Sequence, residues 1–152
     1  MTRNILFLCT GNSARSIMAE AYMNHAGQNR WRAFSAGSKP AGAPNPFALE
    51  TLRRHEIPAV AGGCAPRSKS WDEFARAGAP LMEVIVTVCD NAAGETCPLW
   101  PAKDGAPPRK LHWSFQDPAA VKGTEAQQRE AFEHVFCAIR AQIDAFLTEN
   151  AR

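Results

Sequence analysis

Cys9 and Arg15 stand with five residues between them in Cys9-Thr10-Gly11-Asn12-Ser13-Ala14-Arg15-Ser16. This stretch is launched from the apolar run Ile5-Leu6-Phe7-Leu8 and runs into Ile17-Met18-Ala19-Glu20-Ala21. A strand, a tight polar loop and a helix start in such close succession aim backbone N–H groups, the positive end of the helix dipole and a guanidinium at one point, which suits a tetrahedral oxyanion. Cys9 lies on the rim of that point. A thiol with an ordinary pKa of about 8.5 is only about 3% ionised at pH 7, and a helix N-terminus together with Arg15 is expected to lower it until the thiolate dominates. Cys9 is thus the candidate nucleophile, residues Thr10, Gly11, Asn12, Ser13, Ala14, Arg15 and Ser16 the candidate oxyanion cradle, and the Ser16 hydroxyl a donor to the thiolate. A buried cysteine that merely ends a strand would not need Gly11, Ser13, Arg15 and Ser16 beside it.

Two further elements carry chemistry. Asp117-Pro118 puts a carboxyl group in a loop before the last helical segment, where it can protonate a leaving oxygen or simply open a turn. Cys89 and Cys97 lie eight positions apart, one at the end of an apolar run and the other in a Gly- and Pro-containing loop. That placement suits a disulfide relay, and two unrelated buried cysteines are the plain alternative. Fully extended, the intervening chain would separate them by about 26 Å, against the roughly 7 Å between Cα atoms that a disulfide tolerates, so a bond between them requires a reversal near Gly94. Cys137 falls on the apolar face of the last helix and reads as core, while Cys64 has no assignable role. His25, His55, His112 and His134 show no metal-ligand spacing.

The elements that must hold these groups follow from periodicity. Residues 4–9 and 83–89 are near-continuous apolar runs, as expected of strands buried on both faces, and each ends in a cysteine. Helical spacing marks a segment around Ile17, Met18, Ala21 and Tyr22, another over residues 47–55, and a long one over 125–147 with Phe132, Val135, Phe136, Ile139, Ile143 and Phe146 on one face. Residues 32–35 form a short strand, 71–76 a short helix opened by Ser70, and 91–108 a long irregular stretch. Alternating strands and helices imply parallel βαβ units. If another strand separated the two cysteine-ending strands, their axes would lie about 9–10 Å apart, too far for a disulfide without movement. Residues 90–108 are therefore expected to differ between reduced and oxidised forms.

The bulk numbers set outer bounds. One chain of 152 residues, 45% hydrophobic and 21% charged, fits a single domain spanning 1–152. A formal net charge of +2 with scattered Lys and Arg leaves no stripe for nucleic acid. The apolar run after Arg3 is too short for a signal-peptide core or a membrane span, which gives an expectation of a cytoplasmic protein away from membranes. Five cysteines, an odd number, argue against a structural disulfide framework.

The loop motif with Met18-Ala19-Glu20, Ser35-Ala36-Gly37 and Asp117-Pro118 resembles the low-molecular-weight protein tyrosine phosphatase superfamily. Within it, Arg67-Ser68-Lys69-Ser70-Trp71, Val86-Thr87-Val88-Cys89-Asp90-Asn91, Cys97-Pro98 and His112-Trp113 look like the arsenate reductase branch. The resemblance implies a four-stranded parallel open sheet with helices on both faces, in the flavodoxin-like architecture, and a site at the carboxyl ends of the strands. It also implies roles: Cys9 as nucleophile, Arg15 as oxyanion clamp, Ser16 as hydrogen-bond donor, Asp117 as general acid, and Cys89 with Cys97 as the redox pair. The implied reaction passes from a Cys9–arsenate adduct through a Cys9–Cys89 disulfide to a Cys89–Cys97 disulfide reduced by thioredoxin, with no bound cofactor, in a monomer. Phosphate and sulfate would compete with arsenate.

Three departures bear on that reading. Ala14 replaces a cysteine found in many arsenate reductases. The Cys89 to Cys97 spacing exceeds that of some thioredoxin-coupled members, which leaves glutathione with glutaredoxin open as the reductant. Ala119-Ala120 lacks the aromatic residues with which tyrosine phosphatases grip a phosphotyrosine ring, and this weakens the alternative activity of phosphomonoester hydrolysis through a phosphocysteine. Some members hold potassium near the loop, and Asn12, Glu20 and Ser35 match those positions. A non-catalytic oxyanion sensor is a third reading, in which Cys9 would titrate near the ordinary thiol value of about 8.5.

Overall fold

The computed structural model describes residues 2–28, 30–58, 67–89, 94, 100–102 and 105–150. Four strands, β1 (Arg3–Leu8), β2 (Trp31–Ala36), β3 (Val84–Thr87) and β4 (Arg109–His112), form one sheet in the order β2-β1-β3-β4, and every pairing is parallel. Among the described residues, three α-helices accompany them: α1 (Arg15–Gly27), α2 (Pro46–Arg54) and α3 (Glu125–Glu149). Short 3-10 turns cover Trp71–Phe74 and Pro118–Ala120.

Strand alternation divides the core. Ile5 and Phe7 of β1 point with Val84 and Val86 of β3 toward α1, α2 and α3, where Met18, Leu52, Phe132, Phe136, Ile139 and Ile143 are buried. Leu6, Leu8 and Ile85 point the opposite way, against Phe74 and Met82. Among the described residues, the second face is covered by the Trp71–Phe74 turn rather than by a long helix. Burying a large apolar side chain fully contributes roughly 1.5–3 kcal/mol, so β1, buried on both faces, anchors the sheet and holds the loop that follows it.

Local signals start each element where the packing needs it. The Asn45 side chain accepts the Phe47 N–H at the head of α2, with Pro46 in the first turn, and Ser70 caps the Trp71–Phe74 turn. Thr124 and Gln127 form a reciprocal capping box at the head of α3. The β4 segment Arg-Lys-Leu-His has no apolar run, because an edge strand is half exposed and its charges discourage pairing with another chain.

The sheet order corrects the separation considered above. β1 and β3 are direct neighbours, in the register Leu6↔Ile85 and Leu8↔Thr87, and the pairing continues through a hydrogen bond from Val88 N–H to the Leu8 carbonyl at 2.8 Å. Neighbouring strands lie about 4.8 Å apart. Cys9 and Cys89 follow adjacent strands, and a bond between them needs no strand to move.

Candidate active site

The loop between β1 and α1 is held from outside by its carbonyl groups. The carbonyls of Thr10, Gly11 and Ser13 accept hydrogen bonds from the backbone N–H groups of Lys39, Ala41 and Asn45 at 2.9, 2.8 and 2.7 Å. The Ser68 hydroxyl also donates to the Gly11 carbonyl, at 3.1 Å. In a trans peptide the next residue's N–H points opposite to the carbonyl. With three carbonyls turned outward, the amides of Gly11, Asn12 and Ala14 turn inward, and the Gly11 N–H reaches the Cys9 sulfur. The first turn of α1 adds its own unpaired N–H groups.

Gly37, just past β2, permits this arrangement. A Cβ there would lie 2.7 Å from the Cys9 carbonyl oxygen and closer still to that of Thr10. Asn12 takes a left-handed φ of 46° and is fully buried. It is held there from both ends of its side chain: Nδ2 donates to Ser16 Oγ at 2.8 Å, and Oδ1 accepts the Lys69 backbone N–H at 2.9 Å. Asparagine is one of the few side chains that visits this region without large cost.

Among the described residues, the other sequence candidates converge on the same end of the sheet. Arg15 Nη1 donates to the Phe115 carbonyl at 3.0 Å, and Nη2 lies 3.9 Å from Asp117 Oδ2. Asp117 Oδ1 accepts the Ala119 N–H at 3.0 Å, capping the following turn. One oxygen of Asp117 thus caps the turn, and the other faces Arg15 across the loop. Ser16 is buried, and its hydrogen-bond partner is Asn12 rather than Cys9.

Cys89 is buried beside Cys9. Its sulfur lies 3.7 Å from Thr10 Oγ1 and is in hydrogen-bond contact with the Cys9 thiol. The contact reverses the expected titration. The hydrogen bond to Cys89 and burial push the Cys9 thiol above its ordinary value, against the opposing pull of Arg15 and the Gly11 amide. Two thiols in contact lose protons as a pair, and once one sulfur is negative the other holds its proton. In the ligand-free cradle, Cys9 is therefore not the freely ionised thiolate that the loop sequence alone suggests.

Lys69 was not legible as a site residue. Its ammonium is buried between Ser35 Oγ at 3.2 Å, the Arg67 carbonyl at 3.1 Å and Glu20 Oε2 at 3.8 Å, while Ser35 donates to Glu20 Oε1 at 3.1 Å. The oxygens of Glu20 and Ser35 considered for potassium thus face an ammonium of the chain itself. No periodicity distinguishes a buried lysine from a surface one, and the stretch Arg67-Ser68-Lys69-Ser70-Trp71 marks the segment without giving Lys69 a role.

Cys64 and Cys97 lie outside the described residues. Cys137 is half-buried on α3 and donates to Glu133 Oε2 at 3.2 Å. With His55 it forms a cluster around Glu133 whose ligand atoms lie within 4.8 Å of one another. Arg54 stands 3.7 Å from the same carboxylate, and Arg140 contacts both His55 and Cys137, so the cluster is an ion network tying α2 to α3. Trp113 packs against Phe7 and Phe146. No helix among the described residues is long and apolar enough to cross a membrane.

A parallel open sheet with an anion-cradling loop, a cysteine on its rim and a carboxylate facing its arginine defines a class of cysteine-dependent enzymes acting on oxyanions. Residues 4–152 match the low molecular weight phosphotyrosine protein phosphatase family, and the chain belongs to that family. A curated relative, arsenate reductase of Shouchella clausii (strain KSM-K16), is 34% identical over 142 residues, which is 93% of each chain. The solved structure of an arsenate reductase in the phosphate binding state superposes with a TM-score of 0.73 at 21% identity, covering 97% of this chain and 98% of the other. A thioredoxin-dependent arsenate reductase of Corynebacterium glutamicum shares the fold with a TM-score of 0.63 at 22% identity, over 97% of this chain and 63% of that one.

Proposed function

We propose that the protein reduces arsenate to arsenite, with Cys9, Cys89 and Cys97 as the electron-carrying thiols. The observation that carries this reading is the contact between the Cys9 and Cys89 thiols beside the loop. Ester hydrolysis through a phosphocysteine needs one sulfur, whereas two-electron reduction of a bound oxyanion needs a second within bonding reach of the first. The arsenate reductase that matches along 93% of the chain supports the same reading.

The amides of residues 10–16 and the Arg15 guanidinium hold the oxygens of arsenate, and phosphate and sulfate compete for the same cradle. Because the empty cradle favours the protonated Cys9 thiol, the arriving arsenate dianion is the base that takes its proton. The Cys9 sulfur attacks arsenic, Asp117 protonates the departing oxygen, and water leaves a Cys9–As(V) adduct. Ser16 acts through Asn12, keeping the loop in shape.

Cys89 then attacks the Cys9 sulfur. The new S–S bond forms as the S–As electron pair stays with arsenic, which falls to As(III) and departs as arsenite. Cys97 attacks Cys89, releasing Cys9 and leaving a Cys89–Cys97 disulfide that an external dithiol reduces. One arsenate and two thiols have become one arsenite, one disulfide and one water. Adjacent strands remove the need for motion in the first exchange. Cys89 is only 2% exposed, however, so the step to Cys97 and the donor is the one that requires residues 90–108 to rearrange.

We take thioredoxin as the donor, on the strength of a thioredoxin-dependent reductase with the same fold. A relay that works through free thiols also fits a reducing compartment, the cytoplasm. The test is arsenate-dependent NADPH oxidation with the thioredoxin and the glutathione–glutaredoxin systems side by side, alongside hydrolysis of p-nitrophenyl phosphate. Turnover with thioredoxin that is lost in Cys97→Ser, with ester hydrolysis retained, is the expected result. Hydrolysis without any arsenate turnover would make the protein a phosphatase.

A further inference from the structure

The cradle is designed for a dianion, yet α1 carries the buried carboxylate of Glu20 behind it. Glu20 is 4% exposed and its helix begins at the loop's own Arg15. An uncompensated negative charge in this position would oppose any anion held by the same helix N-terminus, and low polarity would let the repulsion reach it. Lys69 answers that charge. Its ammonium, 7% exposed, donates to Ser35 Oγ and the Arg67 carbonyl and stands 3.8 Å from Glu20 Oε2.

The same residue also holds the loop through its main chain. The Lys69 N–H donates to Asn12 Oδ1, and the Lys69 carbonyl accepts the N–H of Gly37, the residue on which the Thr10 and Cys9 carbonyls rest. One residue thus links the left-handed Asn12, the close approach at Gly37 and the charge balance of Glu20. Burial opposes charge on both partners, raising Glu20 and lowering Lys69, and each restrains the other's shift.

We infer that Lys69 is a positioning residue whose ammonium is the built-in cation of the oxyanion loop: it neutralises Glu20, supports oxyanion affinity, and takes the place that a free monovalent cation would fill between Glu20 and Ser35. The inference rests on the reading that the loop binds arsenate-like oxyanions. The three oxygens around Nζ would suit potassium or ammonium in size and charge, and because the Lys69 ammonium already sits among them the wild-type protein is expected to be indifferent to potassium. Removing the side chain leaves an oxygen-lined hole with an unpaired carboxylate.

The test is calorimetric binding of inorganic phosphate to wild type, Lys69→Ala and Lys69→Met, in choline chloride and then in potassium or ammonium chloride at the same ionic strength. Wild-type affinity is expected to be the same in every salt. Both variants should lose about tenfold or more, a coupling of ordinary size between neighbouring sites. Potassium or ammonium should restore Lys69→Ala several-fold but not Lys69→Met, whose side chain fills the hole. A purely structural lysine would give no such salt-specific rescue.

Should Lys69→Ala not fold, Glu20→Gln combined with Lys69→Met removes both charges at nearly constant volume, and it should recover part of the affinity that Lys69→Met alone loses. Phosphate affinity in Lys69→Ala within twofold of wild type, a potassium-dependent wild type, or equal losses in the single and double variants would each overturn the role of Lys69. Absence of phosphate binding to wild type would instead overturn the oxyanion reading on which it rests.

Discussion

Cys9 and Cys89 follow neighbouring parallel strands, β1 and β3, and their thiols meet in a hydrogen bond with Thr10 Oγ1 close by. The contact both prepares a disulfide and keeps the nucleophile protonated. Replacing Cys89 with Ala removes the largest influence raising the Cys9 thiol, while Arg15 and the Gly11 amide continue to lower it. The sign is therefore downward: the midpoint of Cys9 alkylation by iodoacetamide is expected at lower pH in Cys89→Ala than in wild type. Arsenate turnover should be lost at the same time. An unchanged or higher midpoint would mean that the contact does not control the proton.

Asp117 divides its two oxygens between the Ala119 N–H and the side facing Arg15. Asp117→Asn keeps an oxygen for the cap but cannot give up a proton. Turnover is expected to fall by about 10²–10⁴-fold, the usual contribution of general acid catalysis, with little change in melting temperature. Loss of one limb of the pH–rate profile is the accompanying signature.

Arg15 reaches both the Phe115 carbonyl and the neighbourhood of Asp117 from the first residue of α1. A lysine offers a point charge without the planar fork, so it cannot hold that carbonyl and an oxyanion together. For Arg15→Lys, kcat/KM is expected to drop by about 10²–10³-fold, comparable with loss of an oxyanion donor. Competition by phosphate should weaken in parallel, which inhibition kinetics would show.

Gly37 lies so close to the loop carbonyls that a methyl group must displace backbone rather than a flexible side chain. Gly37→Ala is expected to cost about 1–3 kcal/mol of stability, the range for overpacked sites. It should also reduce phosphate affinity, because the displaced carbonyls set the direction of the cradle amides. Chemical denaturation and calorimetry together would check both effects; a stable variant with normal affinity would place the loop's support elsewhere.

The run of residues 3–8, the loop with Cys9 and Arg15, the stripe of Phe132, Phe136, Ile139 and Ile143, and the caps at Asn45 and Thr124 are local features, and the sequence displayed them directly. Hydrophobic period and capping chemistry act over a few residues, which is why strands, helices and the loop were legible with boundaries shifted by one or two positions. β4 escaped notice because Arg109 and Lys110 occupy an exposed edge, where neither alternation nor an apolar run is required.

What sequence determined by itself was the chemical repertoire: a cysteine, an arginine, a carboxylate and a loop shaped for an anion. Tertiary structure alone decided that β3 lies directly beside β1, and hence that Cys89 touches Cys9 and raises its proton affinity instead of leaving the loop free to lower it. It also decided that the Lys69 ammonium would be buried against Glu20 and Ser35. Strand order and the sign of a buried thiol's shift depend on groups tens of residues apart brought within a few ångströms, where low polarity magnifies each charge and hydrogen bond; no local pattern records which groups those will be.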